Sequence, residues 1–296
     1  MKSFKDWRLR TKIIVPAIVL TVIVSVALGF LINDQQQKLA ISQARQTAQA
    51  ISQQIRAERQ VYTDKVLGKM RRDGMEFKMA DMKTLDAAGH VPLPASFVHL
   101  TSDIVNAQGL HKADLLSLWN VNPDKKPRTP FENEALTYLV THPTENRVDV
   151  SGSDADARFT YVTADVATAQ LCVDCHNALP TSPRKDFRLN DVMGGLVISL
   201  PLDKSFATAK GNALVLTGTL VAVFTLMLVI VAFIQWRFVS KPLVMLERAA
   251  DRISLGELDE PVAVTTHDEV GSLGAAFERM RLSLAAAMAS MDKDEL

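Results

Sequence analysis

Cysteine is scarce in this chain, with two residues among 296. A zinc centre built from four thiolates is thereby excluded. An excess of charge is lacking as well, since 33 basic side chains face 33 acidic ones. Global electrostatics therefore gives no reason to expect nucleic acid or a strongly acidic substrate as a partner. Charge is also missing from Ile13 to Ile32 and from Ala213 to Ile234. Each run is long enough to cross a bilayer as a helix, which takes roughly 20 residues for about 30 Å of hydrocarbon. A buried core helix is the alternative, but soluble helices seldom stay apolar on every face for about five turns.

The flanks of these runs set an orientation. Lys2, Lys5, Arg8, Arg10 and Lys12 precede the first, and Arg237 and Lys241 follow the second. Positive residues stay inside, so both termini are expected in the cytoplasm of a bacterial inner-membrane protein, with about 180 residues exported between the spans to the periplasm. Ala27, Leu28 and Gly29 form a small-x-small triplet that a signal peptidase could cut. The apolar run is too long for a signal peptide and continues past that triplet, so retention as an anchor is the expectation.

Both cysteines fall in the string "LCVDCHN", as Cys172 and Cys175, with His176 next to the second. C-x-x-C-H is the attachment signature of c-type haem. Two thiols one helical turn apart can each add to one vinyl group, and the next residue brings an imidazole under the iron, so His176 is the expected proximal ligand of one covalent haem c. Two other uses of the pair remain open. A thioredoxin-type disulfide normally opens a helix in a βαβ unit, a pattern not evident here. Half of a zinc site would need two more nitrogen or sulfur ligands.

For the sixth iron position the outer segment offers His90, His99, His111 and His142, and the thioethers Met75, Met79, Met82 and Met193. His99 ranks first, because it lies in the apolar string "ASFVHLTSDIV", where an unpartnered imidazole is costly. An open or water-occupied position is the competing expectation. Arg184, Lys185 and Arg188 follow the motif and could meet haem propionates, or simply form a solvated loop.

Around the motif the patterning is mixed. From Gln35 to Met70 there is no proline and Gly68 is the only glycine, while Ala44, Ala48, Ile51, Ile55, Tyr62, Val66 and Met70 recur at helical spacing. This predicts a long amphipathic helix continuing the first span. A second helix is marked near Thr129, Pro130 and Glu132 by a capping box, with Leu136, Leu139 and Val140 on its apolar face. Strands are predicted at Val148–Val150, after a Ser151–Gly152–Ser153 turn at Arg158–Thr163, where Phe159, Tyr161 and Thr163 alternate against Arg158, Thr160 and Val162, and at Gly194–Leu200. Helices on a small antiparallel sheet define an α+β, PAS-like domain.

The segment from Gly89 to Leu202, through "GHVPLPASFVHLTSDIV", "FENEAL", "CVDCHN" and "TSPRKDFRLNDVMGGLVISLPL", resembles the Tll0287-like haem domains. That resemblance implies a PAS-like fold, haem held by the C-x-x-C-H motif, and a sensory role outside the membrane. Beyond the second span, Leu243, Leu246, Ala250 and Ile253, then Val270, Leu273, Phe277, Met280 and Leu284, form two heptad seams. Gly256 is expected to end the first helix, Pro261 to lie in an extended connector, and Thr266 with Glu269 to cap the second helix. With "KPL", "SLGELDEPV" and "DEVGSL", this tail resembles a HAMP domain, which implies a coiled-coil homodimer.

The expected organisation is a cytoplasmic N-terminus at 1–12, spans at 13–32 and 213–235, a periplasmic haem-binding domain at 33–212, HAMP at 236–288 and a short coil at 289–296. No kinase, cyclase or methyl-accepting module follows, so either the receptor is truncated or its output protein acts in trans. The expected role is non-enzymatic: a membrane sensor of redox state or of a small gaseous ligand, surrounded by membrane lipid. The rival is a membrane-tethered monohaem electron carrier. Sensing is preferred because HAMP supplies the two-state element that allostery requires.

Overall fold

The fold is taken from a computed structural model, which describes residues 7, 9–80, 84–153, 155–263 and 266–294. Two compact units are distinguished, Asn33–Ala213 and the segments on either side of it.

In the first of these units a four-stranded antiparallel sheet has the order β3-β6-β5-β4. Its strands are β3 (Lys112–Leu116), β4 (Asn146–Ser151), β5 (Arg158–Val166) and β6 (Val192–Pro201). A separate parallel pair joins β1 (Lys78–Ala80) to β2 (His90–Pro92). Helix α1 (Leu9–Val61) covers one face of the large sheet. Ala40, Ala44 and Ala48, four residues apart on one stripe, are buried with Phe159, Tyr161, Leu196, Ile198 and Leu200. Alanine at each contact lets the helix approach the sheet closely. The opposite face is covered by α4 (Pro130–Thr141), whose Ala135, Leu136 and Leu139 are buried with Leu116, Val162, Ala164 and Val197. Burying each such leucine contributes about 1.5–3 kcal/mol.

The capping box of α4 is formed as the sequence predicts: Glu132 N–H donates to Thr129 Oγ1 at 3.1 Å, and Thr129 N–H donates to Glu132 Oε2 at 3.0 Å. β5 departs from the expected one-sided alternation. Because helices lie on both faces, Val162 and Ala164 are as buried as Phe159 and Tyr161. Helix α3 (Pro94–Ala107) and strands β1 to β3 were not marked by periodicity. After Val61 the chain passes through a π-helical turn, Tyr62–Leu67, into α2 (Gly68–Arg72).

Among the described residues, two helices, α1 and α6 (Asp203–Gln235), are long and apolar enough to cross a membrane. In the unit that contains the apolar segments, a Cβ at Gly29 would lie 3.3 Å from Thr217 Cγ2, so a glycine permits their close contact. A second π-helical turn, Trp236–Ser240, leads into α7 (Lys241–Ser254). Gly256 follows it at φ 85°, a left-handed conformation that ends a helix. The last helix, α8 (Glu269–Asp294), is capped by Asp268, whose Oδ1 accepts from the N–H groups of Val270 and Gly271 at 3.0 Å. This corrects the expected Thr266 cap: Asp268 is the acid immediately before the first turn. Leu246 and Ile253 are buried, whereas Leu273, Met280 and Leu284 remain exposed in the single chain.

Candidate functional site

Cys172, Cys175 and His176 lie on one short helix, α5 (Gln170–Ala178), between β5 and β6. Those strands are antiparallel neighbours. The helix is therefore not the crossover of a βαβ unit, and the thioredoxin context is absent for a topological reason. Both cysteines are free thiols and half-buried. Burial, and secondarily Cys172, pushes the Cys175 thiol up. Among the described residues, no group of three or more His, Cys, Asp or Glu side chains could hold a metal ion, so the zinc alternative finds no further ligands.

An apolar cluster supports the helix from below: Val173, Ala167, Phe187 and Met193, with Trp119 and Cys172 packed against it. Phe187 is fixed by a two-bond clamp. Asn177 Nδ2 donates to Phe187 O at 2.9 Å, and Phe187 N–H donates to Asn177 Oδ1 at 3.0 Å. Its ring meets His176 edge-on at 5.8 Å and Trp119 edge-on at 5.7 Å. The His176 Nδ1 is buried without a hydrogen-bond partner. Leaving such an atom unpaired costs about 1–3 kcal/mol. Burial also lowers the imidazole's basicity, with Asp165 opposing that effect.

The other candidates are scattered. His99, on α3, has its Nδ1 3.7 Å from Asp114 Oδ1, too far for a hydrogen bond. Burial holds it below the usual histidine range, Lys125 adds to this, and Asp114 opposes it. His90 Nδ1 lies 2.7 Å from Thr84 O, and His142 stacks on Tyr138 at 4.2 Å. Burial lowers His111. Met75 is exposed, Met79 lies in β1, and Met82 lies outside the described residues. Met193 is the candidate that shares the apolar cluster of α5. Of the cations, Arg184 is committed to Asp186 at 2.7 Å and Asp191 at 3.0 Å, and it stacks over Trp119 and Phe187.

Several residues near α5 escaped the sequence reading. Arg56 Nη2 donates to Thr163 Oγ1 at 2.8 Å and to Ala164 O at 2.6 Å, and Arg59 forms a two-bond pair with Asp165, 2.9 Å for one of the bonds. The available signal was the single acid of β5, together with two arginines three apart on a helix.

Fold and site together define a class: a mixed helix-and-sheet domain flanked by two helices able to span a membrane, with a HAMP domain at residues 235–286. More particularly, the chain belongs to the Tll0287-like family, whose model matches residues 35–201. It is similar to the heme sensor protein HssS of Staphylococcus saprophyticus, with 41% identity over 66 residues, covering 22% of this chain and 14% of that protein. A sensory transducer protein of Acetivibrio thermocellus is 39% identical over 67 residues, covering 22% and 12%. The chain thus spans less than one sixth of either relative's length. Among solved structures, the cyanobacterial heme-protein Tll0287 is similar at 16% identity with a TM-score of 0.28, covering 41% of this chain and 76% of that one.

Proposed function

We propose that this chain is a membrane sensor that holds one covalent haem c, with Cys172 and Cys175 as the thioether sulfurs and His176 as proximal ligand. The observation that carries the reading is the placement of two free thiols and an imidazole with an unpartnered buried nitrogen on one helix over an aromatic wall. Thiols fit vinyl addition, and the imidazole fits an axial ligand. When bound, the haem supplies a one-electron couple and a site for a small gaseous ligand. The chain's own part is to hold the ring with Phe187, exclude water through Val173 and Met193, and fix α5 to the sheet. For the sixth position the candidates are His99 on α3, Met193 in the apolar cluster of α5, and an open site.

In this reading the α+β domain is PAS-like and periplasmic, and both termini are cytoplasmic in the inner membrane. HAMP pairs in a homodimer whose second copy covers Leu273, Met280 and Leu284, apolar side chains exposed in one chain. The names of the two partial relatives, a heme sensor and a sensory transducer, agree with sensing over electron carriage.

Haem staining on a denaturing gel checks the attachment: signal in the wild type and none in Cys172→Ala/Cys175→Ala is expected, and undiminished signal sinks the haem c reading. Linkage checks the sensing. Leu246→Ala and Phe277→Ala, in the HAMP helices, should change the haem midpoint potential, since coupling between sites is reciprocal. A tenfold change in the redox equilibrium reads as about 59 mV. Variants that repack the bundle with an unmoved potential favour the electron carrier.

A further inference from the structure

Arg59 and Asp165 form a pair whose side chains are each about one-fifth exposed, and they join α1 to the end of β5. Arg56, one turn earlier on α1, holds the two residues just before Asp165 through a side-chain oxygen and a main-chain carbonyl. Three successive residues of β5 are thus gripped by two arginines of one helix. The pairing of β5 with β6 then shifts register between Asp165 and Val166. Beyond that shift Ala167 is pinned on both sides, donating to Asp191 O at 2.9 Å and accepting from Asn190 N–H at 2.9 Å. Ala169 caps α5, and Cys172 is the helix's third residue. Six residues therefore separate Asp165 from the first attachment cysteine, and hydrogen bonds hold the backbone between them at Ala167.

The pair is also an electrostatic neighbour of the attachment helix. Burial is the larger influence on the His176 imidazole, and Asp165 is the charge that opposes it. Helix α1 continues without a break from Val61 back to Leu9 and includes the first apolar run. A largely shielded pair of opposite charges loses its balance when a third charge nearby changes, because a lowered local dielectric strengthens each interaction.

The geometry points to Arg59 and Asp165 as positioning residues that link the charge state at His176 to helix α1. This inference rests on the haem reading above. A more positive iron draws on the Asp165 carboxylate and loosens its hold on Arg59. By reciprocity, a tighter Arg59–Asp165 pair favours the reduced iron. Arg56 keeps the strand in place while the pair responds.

The two charges make opposite demands, so the test is one of sign. Potentiometric titration would be run on the full chain in nanodiscs. Asp165→Asn removes a negative charge that favours ferric iron and should raise the midpoint potential. Arg59→Gln removes the neutralising cation and should lower it. A tenfold change in the oxidised-to-reduced ratio is expected in each case, about 59 mV. Arg59→Lys keeps the charge but loses the two-bond contact, so it should lower the potential by less than Arg59→Gln does. A residue with a merely structural role would loosen the site in both substitutions and shift the potential one way, so shifts of the same sign, or none, overturn the inference.

A second readout needs no haem. In full-length Cys172→Ser/Cys175→Ser protein, amide hydrogen exchange at 163–166 should quicken about tenfold with either Arg59→Gln or Arg59→Lys, because lysine cannot make the two-bond contact. Unchanged exchange also overturns the link. Absence of covalent haem in the wild type, with the exchange result intact, rejects the haem reading and leaves the clamp standing, so the two failures are told apart. Where Arg59→Gln does not fold, the Asp165→Asn potential and the Arg59→Lys exchange still decide.

Discussion

Consecutive glycines in β6 ought to differ sharply in what they tolerate. A Cβ built on Gly195 would lie 2.3 Å from Leu136 Cδ2, whereas one on Gly194 would lie 2.5 Å from the main-chain oxygen of Leu116. Neither glycine has a positive φ, so backbone strain is not the issue. Alanine in fact lowers the entropy of the unfolded chain, a gain of about 0.4–1 kcal/mol. Overpacking opposes it by about 1–3 kcal/mol. At Gly195 the obstacle is the tip of a leucine side chain that can change rotamer, so Gly195→Ala should cost about 1–2 kcal/mol net. At Gly194 the obstacle is the backbone of β3, which is laddered to β6 and cannot retreat without breaking that pairing. Gly194→Ala should therefore cost about 3 kcal/mol net, because overpacking against fixed backbone runs past the usual range of about 1–3 kcal/mol. At about 2–4 °C per kcal/mol for a unit of this size, the expected drops in Tm are about 2–8 °C and about 6–12 °C. Thermal unfolding of the full chain in nanodiscs, followed by near-ultraviolet circular dichroism, measures both. Leu136→Ala alone leaves a cavity and costs about 2–5 kcal/mol, but combined with Gly195→Ala it should cost less than the two separately, since they share one contact. A Gly194→Ala protein as stable as wild type, or strict additivity in the double variant, would refute the reasoning.

Two further outcomes follow from capping and charge. Thr129→Ala removes the hydroxyl that accepts from Glu132 N–H and should lower stability by about 1 kcal/mol, read as a small drop in the same melting curve; Thr129→Ser should restore it. In the HAMP segment, Glu278 accepts from Arg281 and from Val262 N–H, which hold its carboxyl down from 4.5 to about 2. A carboxylate depressed on folding contributes stability that is complete above pH 4.5 and is lost as pH falls through 2. Proteolytic nicking of the 257–263 connector should therefore rise across that window in wild type and lose its pH dependence in Glu278→Gln.

What the sequence made legible is what depends on local chemistry. The absence of charge over five turns marks the apolar helices, and the Thr129–Glu132 spacing marks a cap, because both signals sit within one element. The same holds for the attachment motif, whose residues are neighbours in the chain. α3 and β3 were missed because their burial comes from neighbours that are distant in sequence: α3 packs on β3 and β3 pairs with β6, so neither carries a self-sufficient period. β5 was read as alternating since Phe159 and Tyr161 stand out in size, yet Val162 and Ala164 are equally buried once α4 covers the other face. Arg56 and Arg59 were invisible as site residues because their partners lie more than a hundred positions away.

Arg184 shows how far a residue's role can move once its partners are known. By position it is a cation following a haem motif and could be reserved for a propionate. Its guanidinium, however, already donates to Asp186 and Asp191, and lies 4.4 Å and 4.9 Å from the ring centres of Phe187 and Trp119. Asp186 is mostly exposed, so that pair contributes little, but the Asp191 pair and both rings are largely shielded, where cation–π contact is worth about 0.5–2 kcal/mol. Asp191 in turn presents its backbone oxygen to Ala167, ahead of α5. Removing the guanidinium should therefore loosen the wall behind His176 instead of uncovering a single ligand contact. Arg184→Met, which keeps an apolar stem, should lower stability by about 1–2 kcal/mol, and Arg184→Lys should recover only part of it, because an ammonium cannot span two rings and a carboxylate together. The decisive measurement is near-ultraviolet circular dichroism of the haem-free Cys172→Ser/Cys175→Ser chain carrying Trp7→Phe and Trp236→Phe, where the tryptophan band comes from Trp119 alone. A loss of that band in Arg184→Met supports the positioning role, while an unchanged band and melting temperature would return Arg184 to the ligand.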